Sequence, residues 1–432
     1  MTSIPRRMII KGALVAFLTS STIGRAMAAS SVYLKLIGKP SDTSATFSVI
    51  ANQTARAYVE YGNSRNTLTS KTPVLTLPKN SSKSIEITGL MANTTIYFRL
   101  RYSLGVSKSF AASTVSSFTT ADAVASVPLN TNVFAVQADP HMDENSTEDV
   151  YVKTLAQVVA AAPAFLMDLG DIFMVDKLSN KSEANIRARF ELMKGYYGRL
   201  KGVPLKITLG NHDGELGYSN FNTKKYRKEY FPEQTGDLAY YAFSGPDTLH
   251  VALDPFTYTT KNPTSNGWEW TLGKTQYDWL TSTLANSSAT HKFIYIHHLL
   301  VGDAQSRGGV EIAKFNEWGG LNKDGSQGFD ANRPGWGKPI HQLLLDHKVG
   351  IVFKGHDHLY VKQELDGIIY QTVPQPSHAG DKVNSSTEYG YLSGKVVGGS
   401  GFMKVTTTGP DAKVEFVKYD GSIADSYVRS VV

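Results

Sequence analysis

The sequence predicts a two-part chain: a small all-β sandwich, then an α/β unit in which two sheets pack as a sandwich with helices outside. Three observations carry this. Residues 30–120 are short β-prone runs separated by turn signals. From residue 131 on, apolar strand-length runs alternate with helix-patterned segments, the mark of buried and mostly parallel strands. After Leu359 the pattern returns to strands, which would close a second sheet.

In the first part, residues 57–61 and 84–87 alternate apolar with polar, and 95–102 is rich in β-branched and aromatic residues. Turn residues at 61–64 and 88–93 separate these runs. This places the sandwich at 29–122 and a small, polar linker carrying Pro128 at 123–130. In the second part, 131–432, strands are predicted at 132–138, 165–167, 203–209, 249–253, 292–296 and 349–353. Helices are predicted at 148–162, where Val150, Leu155, Val158 and Val159 share a face, and at 186–197, 276–284 and 340–346. Strands at 367–372, 401–406 and 413–419 follow, and no internal repeat is present.

At 432 residues the chain can bury a large core without staples. There is no cysteine, which excludes disulfides, iron–sulfur ligation and thiol catalysis, so any metal site must use nitrogen and oxygen ligands. Charged residues are 19% and hydrophobic ones 41%, far from a disordered composition. The formal charge of +6 comes with no basic stretch suited to nucleic acid, so no stable nucleic-acid complex is expected.

Much of that charge sits in the first residues. Arg6, Arg7, Lys11 and Arg25 occur there without an acid, around an apolar stretch at 12–23 that is too short to span a bilayer. Ala26-Met27-Ala28 follows as a small-x-small cleavage site, so residues 1–28 read as an export signal. The paired arginines resemble the bacterial twin-arginine signal, which implies passage through the Tat translocon and a periplasmic or secreted protein. An ordinary signal or an uncleaved anchor is the alternative. Removing the tag lowers the formal charge from +6 to +2. No second segment is long enough to span a membrane, so no span is expected in the mature form.

Hard polar residues recur just beyond the predicted strand ends. They are Asp139-Pro140-His141, Asp168-Leu169-Gly170-Asp171, Gly210-Asn211-His212-Asp213, His297-His298 and Gly355-His356-Asp357-His358. In an open α/β sheet the carboxyl ends of the strands are where ligands bind, so five such ends would pool their side chains. A lone histidine is more often a satisfied structural residue. A series of clusters at equivalent positions is not explained that way.

These blocks, in this order, resemble the calcineurin-like metallophosphoesterase superfamily, whose fold would cover about residues 130–420 as a four-layer α/β/β/α sandwich. The sandwich ahead of it, with its Gly89-Leu90 turn and closing 116–120 run, resembles a fibronectin type III-like module such as precedes the purple acid phosphatases. Its expected role is a spacer and substrate-side wall, with a binding module as the alternative. The resemblance implies two divalent metal ions, manganese, iron or zinc. Asp139, His141 and His358 would hold the first; Asn211, His297 and His356 the second; Asp171 would bridge them. It implies attack on phosphorus by a metal-activated hydroxide. His212 would contact phosphate and protonate the leaving oxygen, with Asp213 as its orienting carboxylate.

The chain departs from the purple subgroup. That subgroup has an iron-binding tyrosine where Met174 stands, and a glycine where His141 stands. A thioether is a poor ligand for a hard ferric ion, so a colourless enzyme is expected. Leu299 replaces a common proline shortly after His297, and His298 is expected to point away. Asp168, Asp254 and Asp357 are expected to be structural or supporting carboxylates. The basic run Lys224, Lys225, Arg227 and Lys228 reads as a solvated helix face. The glycine-rich segment 302–339 has no clear period and could overhang the pocket. Within it Arg333 could pair with an anionic substrate, Trp336 could stack on a base or ring, and Arg307 is a further candidate for substrate binding; His378 could line the pocket. The expected activity is hydrolysis of small phosphate esters, monoesters favoured and nucleotides among them. The alternatives are a phosphodiesterase of the same family, and a secreted surface- or polymer-binding protein with a structural metal centre.

Overall fold

The computed structural model describes residues 32–37, 40–121 and 131–431, except 144, 220, 222, 233–237, 264–265, 302–306, 382 and 384. The expected signal segment 1–28 and linker 123–130 lie outside the described residues. The chain divides into two compact units, the first holding Pro40–Ala121 and the second Asp122–Val432.

The first unit is all β. Its strands are β1 (Val32–Ile37), β2 (Ala45–Ala51), β3 (Ala55–Gly62), β4 (Ser70–Lys71), β5 (Leu75–Leu77), β6 (Ser81–Ile87), β7 (Thr95–Leu104), β8 (Ala111–Ala112) and β9 (Ser116–Thr119). One sheet runs β1-β2-β6; the other runs β4-β3-β7-β8, with β5 on β3 and β9 on β7. The alternation in the sequence explains the packing. Ala55, Ala57 and Val59 of β3 point inward, as do Ile85 and Ile87 of β6. Phe47 fills the space between the sheets against Phe98 and Phe118, with ring centroids 4.7 and 5.9 Å away.

The second unit carries β10 (Thr131–Gln137), β11 (Leu166–Asp168), β12 (Leu205–Ile207), β13 (Tyr241–Gly245), β14 (Thr248–Ala252), β15 (His291–Ile296), β16 (Ile351–Lys354), β17 (Tyr360–Leu365), β18 (Ile368–Thr372), β19 (Lys395–Val397), β20 (Gly401–Thr408), β21 (Asp411–Lys418) and β22 (Ile423–Ser430). They form two sheets, ordered β12-β11-β10-β20-β21-β22 and β13-β14-β15-β16-β18-β17-β19. Strands β10, β11 and β12 are parallel, as are β14, β15, β16 and β18. The sheets face one another across Phe134, Val136, Met167, Phe293, Phe353 and Met403. Outside the first sheet lie the helices Glu148–Ala160 and Glu183–Tyr197, packed on Leu155, Val158 and Phe190. Outside the second lie Gly273–Ala285 and Ile340–Asp346, packed on Leu280 and Leu344. This is the four-layer arrangement of helix, sheet, sheet and helix, preceded by a small all-β unit.

Several elements differ from the sequence expectation, each for a local reason. Strand β12 is only Leu205–Ile207, because the chain leaves the sheet before Leu209 to enter the Gly210 loop. The helix Glu183–Tyr197 starts earlier than its apolar pattern, where Ser182 accepts a hydrogen bond from the Asn185 amide and caps it. The sequence pattern predicts no strand at β22, a half-exposed edge strand in which polar and apolar residues are mixed. The basic run is not wholly solvated. In the helix Lys224–Tyr230, Lys225 and Lys228 face water but Arg227 is buried and makes a bidentate pair with Glu215 at 2.7 and 3.0 Å. The described part of 302–339 is also more ordered than its composition suggests. It forms three short helical turns, Val310–Ala313, Asn316–Gly319 and Phe329–Asn332. Trp318 anchors them from inside the core, its indole N–H donating to the Tyr370 hydroxyl at 2.8 Å.

Candidate metal centre

The parallel strands deliver their following loops to one end of the two sheets. Asp139 follows β10, Asp171 follows β11, Asn211 follows β12, His297 follows β15, and His356 and His358 follow β16. The loops must turn sharply to bring ligands back over the strand ends. Asp139, His141, Asp171, His356 and His358 all have positive φ, between 53° and 74°. Such conformations cost non-glycine residues on the order of 1–3 kcal/mol each and persist only where the surroundings enforce them. Cross-loop hydrogen bonds do so here. The Asp139 amide donates to the Gly170 carbonyl at 3.0 Å and the His141 amide to the Asp171 carbonyl at 3.2 Å. The His356 amide donates to Asp139 Oδ2 at 2.9 Å, and the His212 amide to Asp171 Oδ1 at 2.8 Å.

Two triads of donors result: Asp139, His141 and His358, and Asp171, His297 and His356. Within the first, Asp139 Oδ1 lies 3.5 Å from His358 Nε2 and 4.0 Å from His141 Nε2. Within the second, Asp171 Oδ2 lies 3.3 Å from His297 Nε2, which lies 3.3 Å from His356 Nδ1. Two ligands each about 2.0–2.2 Å from one ion are roughly 3–4 Å apart, so both triads have the spacing of a coordination sphere. Asp171 Oδ2 is also 3.8 Å from His141 Nε2, so one carboxylate oxygen faces a donor of each triad.

The hydrogen bonding tests whether cations fit. The His297 Nδ1 proton goes to the Leu169 carbonyl at 2.8 Å, which turns the Nε2 lone pair inward. That lone pair meets Asn211 Oδ1 at 3.0 Å as well as Asp171 Oδ2 and His356 Nδ1. These groups are acceptors toward one another, and only a proton or a cation reconciles them. Asp139 Oδ1 and His141 Nε2 are likewise buried without a hydrogen-bond partner among the described residues. The titration behaviour agrees. Burial pushes the Asp139 carboxyl up to about 6, although His297 and His141 oppose it. Burial disfavours the charge on His297 too, but Asp171 and Asp139 outweigh it and raise the imidazole to about 9. A divalent ion in each triad would take the place of these shared protons, and the donor set, all nitrogen and oxygen, suits it.

The sequence pattern of the calcineurin-like phosphoesterase family matches residues 133–360, which contain every one of these donors. The chain belongs to the calcineurin-like phosphoesterases. It is a metal-dependent phosphoric ester hydrolase with two candidate divalent-metal sites. Among solved structures, PhoD is similar with a TM-score of 0.55 and 14% identity, covering 92% of this chain and 90% of that one. GAP50, the anchor in the inner membrane complex of Plasmodium, is similar at a TM-score of 0.47 and 14% identity, over 70% of this chain and 89% of that one. A putative 5'-nucleotidase from Staphylococcus aureus follows at 0.35 and 10% identity, over 70% and 55%. No curated protein sequence matches.

Around the centre of this calcineurin-like phosphoesterase, some expected residues take other places. Asp213 does not touch the His212 ring. It is fully buried and accepts the backbone amides of Gly210, Asp171, Ile172 and Phe173 at 2.8, 2.9, 2.7 and 2.6 Å. It therefore ties the Asp171 loop to the Asn211 loop. The carboxylate beside the His212 ring is Asp176, whose Oδ2 lies 2.8 Å from Nδ1. This leaves Nε2 facing the centre, 3.9 Å from Asp171 Oδ2. Burial opposes the charged ring, but Asp171 and Asp176 together raise the His212 pKa. Asp176 had no signal in the sequence beyond being an acid in a loop after Gly170-Asp171. Arg189 was equally silent: it reaches from its helix to donate to the carbonyls of His141, Met142 and Phe173, bracing two of the ligand loops.

Arg333 is not available to a substrate. Its guanidinium pairs with buried Glu317 and donates to the carbonyls of Trp268 and Trp270. Trp336 packs on Tyr277, ring centroids 4.7 Å apart, at the edge of the outer core. Neither residue touches a member of the triads among the described residues. His298 is buried against Trp270 and Phe256, and burial, then His297, lowers its pKa to about 3. His378 lines a small cleft with His358, Gln375 and Ser400. Met174 is buried in a left-handed turn. Asp168 is buried under the Tyr197 hydroxyl and the Gln137 amide, at 2.7 and 2.6 Å. Asp254 is buried too, accepting the Phe256 amide at 2.8 Å. No helix among the described residues is long and apolar enough to cross a membrane.

Proposed function

We propose that this chain hydrolyses phosphomonoesters at a binuclear centre in which Asp139, His141 and His358 hold one cation, Asn211, His297 and His356 hold the other, and Asp171 lies between them. The observation that carries the reading is the single Asp171 oxygen that faces donors of both triads. Two divalent cations supply, when bound, Lewis-acid stabilisation of phosphate oxygens and a water of lowered pKa. The chain's own residues do the rest. Asp213 holds the Asp171 and Asn211 loops in register through four amides. Asp176 orients His212 and favours its protonated form. His212 Nε2 then faces the centre as a donor that can protonate the departing oxygen, which avoids expelling an alkoxide.

The wider reading is also ours. Arg6 and Arg7 support export by the Tat translocon to the periplasm or beyond. The two-sheet β unit supports a fibronectin type III-like module ahead of the catalytic one. Met174 supports a relative of the purple acid phosphatases without their coloured iron site. Manganese, zinc and ferrous iron all suit the donor set. The test is to load purified protein with manganese or zinc, count ions per chain, and compare para-nitrophenyl phosphate with bis-para-nitrophenyl phosphate. Two ions per chain with faster monoester turnover is expected. Faster diester turnover would make it a phosphodiesterase. A fully loaded protein that cleaves neither would favour a binding protein with a structural metal centre.

A further inference from the structure

We infer that Arg307 is a substrate-contact residue that grips the non-bridging oxygens of a doubly charged phosphate, and that Asp357 is the positioning residue that holds it at the second metal triad. The inference rests on the phosphoesterase reading and names the charge state that the site selects.

The argument begins with a buried carboxylate between two candidate ligands. Asp357 lies between His356 and His358 and is 1% exposed. Its charge is already met. Lys354, fully buried, donates to Asp357 Oδ2 at 2.6 Å, and the Tyr391 hydroxyl donates to the same oxygen at 2.5 Å. The Gly308 amide adds a third donor at 3.1 Å. All three donate to Oδ2, which leaves Oδ1 to a fourth group.

Arg307 comes to this carboxylate as its second cation. Its Nη1 donates to the His356 carbonyl at 3.0 Å and reaches Asp357 Oδ1 at 3.4 Å. Its plane lies over the Tyr389 ring, 4.3 Å from the centroid. Both contacts fix the guanidinium, but both leave the Nε–Nη2 edge without a protein partner among the described residues. That edge is the one that meets a phosphate or carboxylate with two parallel hydrogen bonds. A purely structural arginine beside a buried aspartate would be expected to turn that edge to the carboxylate. Here Lys354 and Tyr391 occupy Oδ2, Arg307 meets Oδ1 through Nη1 alone, and the arginine side chain stays 26% exposed. Arg307 is thus anchored to the backbone of a candidate metal ligand, shares a single carboxylate with Lys354, and presents an open fork among the described residues. A phosphomonoester carries close to two negative charges above pH 6, a diester only one. A fixed extra cation therefore favours the monoester.

The experiment uses manganese-loaded parent protein, Arg307→Met, Arg307→Lys and Asp357→Asn. It reads ions per chain, KM and kcat on para-nitrophenyl phosphate and on its bis ester, and the Kd for inorganic phosphate by calorimetry. Arg307→Met should raise monoester KM and phosphate Kd about tenfold to a hundredfold, as for loss of a charged hydrogen bond. Diester KM should move by less than about threefold and the metal content should not change. Arg307→Lys, which keeps the charge but not the fork, should fall between. Asp357→Asn should shift KM in the same direction with kcat less affected, because the guanidinium loses its anchor. Unchanged phosphate affinity in Arg307→Met, with the parent an active esterase, would overturn the inference and leave the activity standing. Equal losses on both esters would overturn the charge selection. If the parent cleaves neither ester but its phosphate affinity falls in Arg307→Met, the activity reading fails and the anion contact stands.

Discussion

Asp213→Asn separates the structure's account of this carboxylate from the one its sequence position suggests. Asp213 is 0% exposed, so no water can replace a lost partner. Its two oxygens accept four backbone amides at 2.6–2.9 Å. An asparagine keeps one carbonyl oxygen, which can serve two of them, while its NH2 points protons at the other two. Two buried N–H groups then lose their acceptor at about 1–3 kcal/mol each, so the catalytic unit should lose about 2–6 kcal/mol. The groups that lose support are the amides of the Asp171 loop, so metal retention should fall with stability. Urea unfolding followed by tryptophan fluorescence gives the first quantity, and ions per chain after dialysis gives the second. Stability within about 0.5 kcal/mol of the parent, with full metal content, would refute the reasoning. If kcat alone fell, Asp213 would act on His212 after all.

Asp176→Asn should do the opposite: leave stability and metal content near the parent and lower kcat by about 10²-fold, within the range for impairing a general acid. Because Asp176 helps to raise the His212 pKa, its loss should also move the alkaline limb of the kcat profile to lower pH, and an unmoved limb would contradict the pairing. Gly210→Ala would put a methyl group 2.1 Å from Asp171 Oδ1 and from the Asp171 amide; metal analysis should show fewer than two ions per chain, and full loading would mean that the loop has room to spare. His250 is buried between Tyr295 and Thr248, and burial lowers its pKa from 6.5 to about 3. The unfolded chain therefore takes up the proton first, so stability is lost as pH falls below 6.5, by about 1.4 kcal/mol per pH unit. Between pH 7 and 5 the parent should lose about 2 kcal/mol more than His250→Gln; equal losses would show that His250 is not the group responsible.

What could be read in advance depended on whether the information was local. Strand β15 carries the apolar run Phe293–Ile296, and β7 is dense in β-branched and aromatic residues, so each announces itself. Strand β22 does not, because an edge strand that alternates with solvent need not be apolar. The donors of the centre were legible because geometry limits them to strand ends and chemistry limits them to a few residue types, spaced close in sequence within each loop. The partners of those donors were not. Asp176 is five residues beyond Asp171 and Arg189 lies on a different element, and in the sequence both look like any surface charge. Arg333 and Trp336 looked suited to a substrate because they are a cation and a ring among glycines. Only the fold shows that Glu317 and Tyr277 had already claimed them.

The sequence by itself determined the layer order, the strand ends that carry chemistry and the kinds of atom that meet there, since periodicity and residue type act over a few neighbours. The tertiary structure alone decided which acid serves which base. Asp213 and Asp176 are both carboxylates near His212, and their tasks divide according to direction. One is aimed into four amides and the other at an imidazole nitrogen. Such assignments depend on how loops from distant parts of the chain turn toward one another, and a linear pattern holds no record of that.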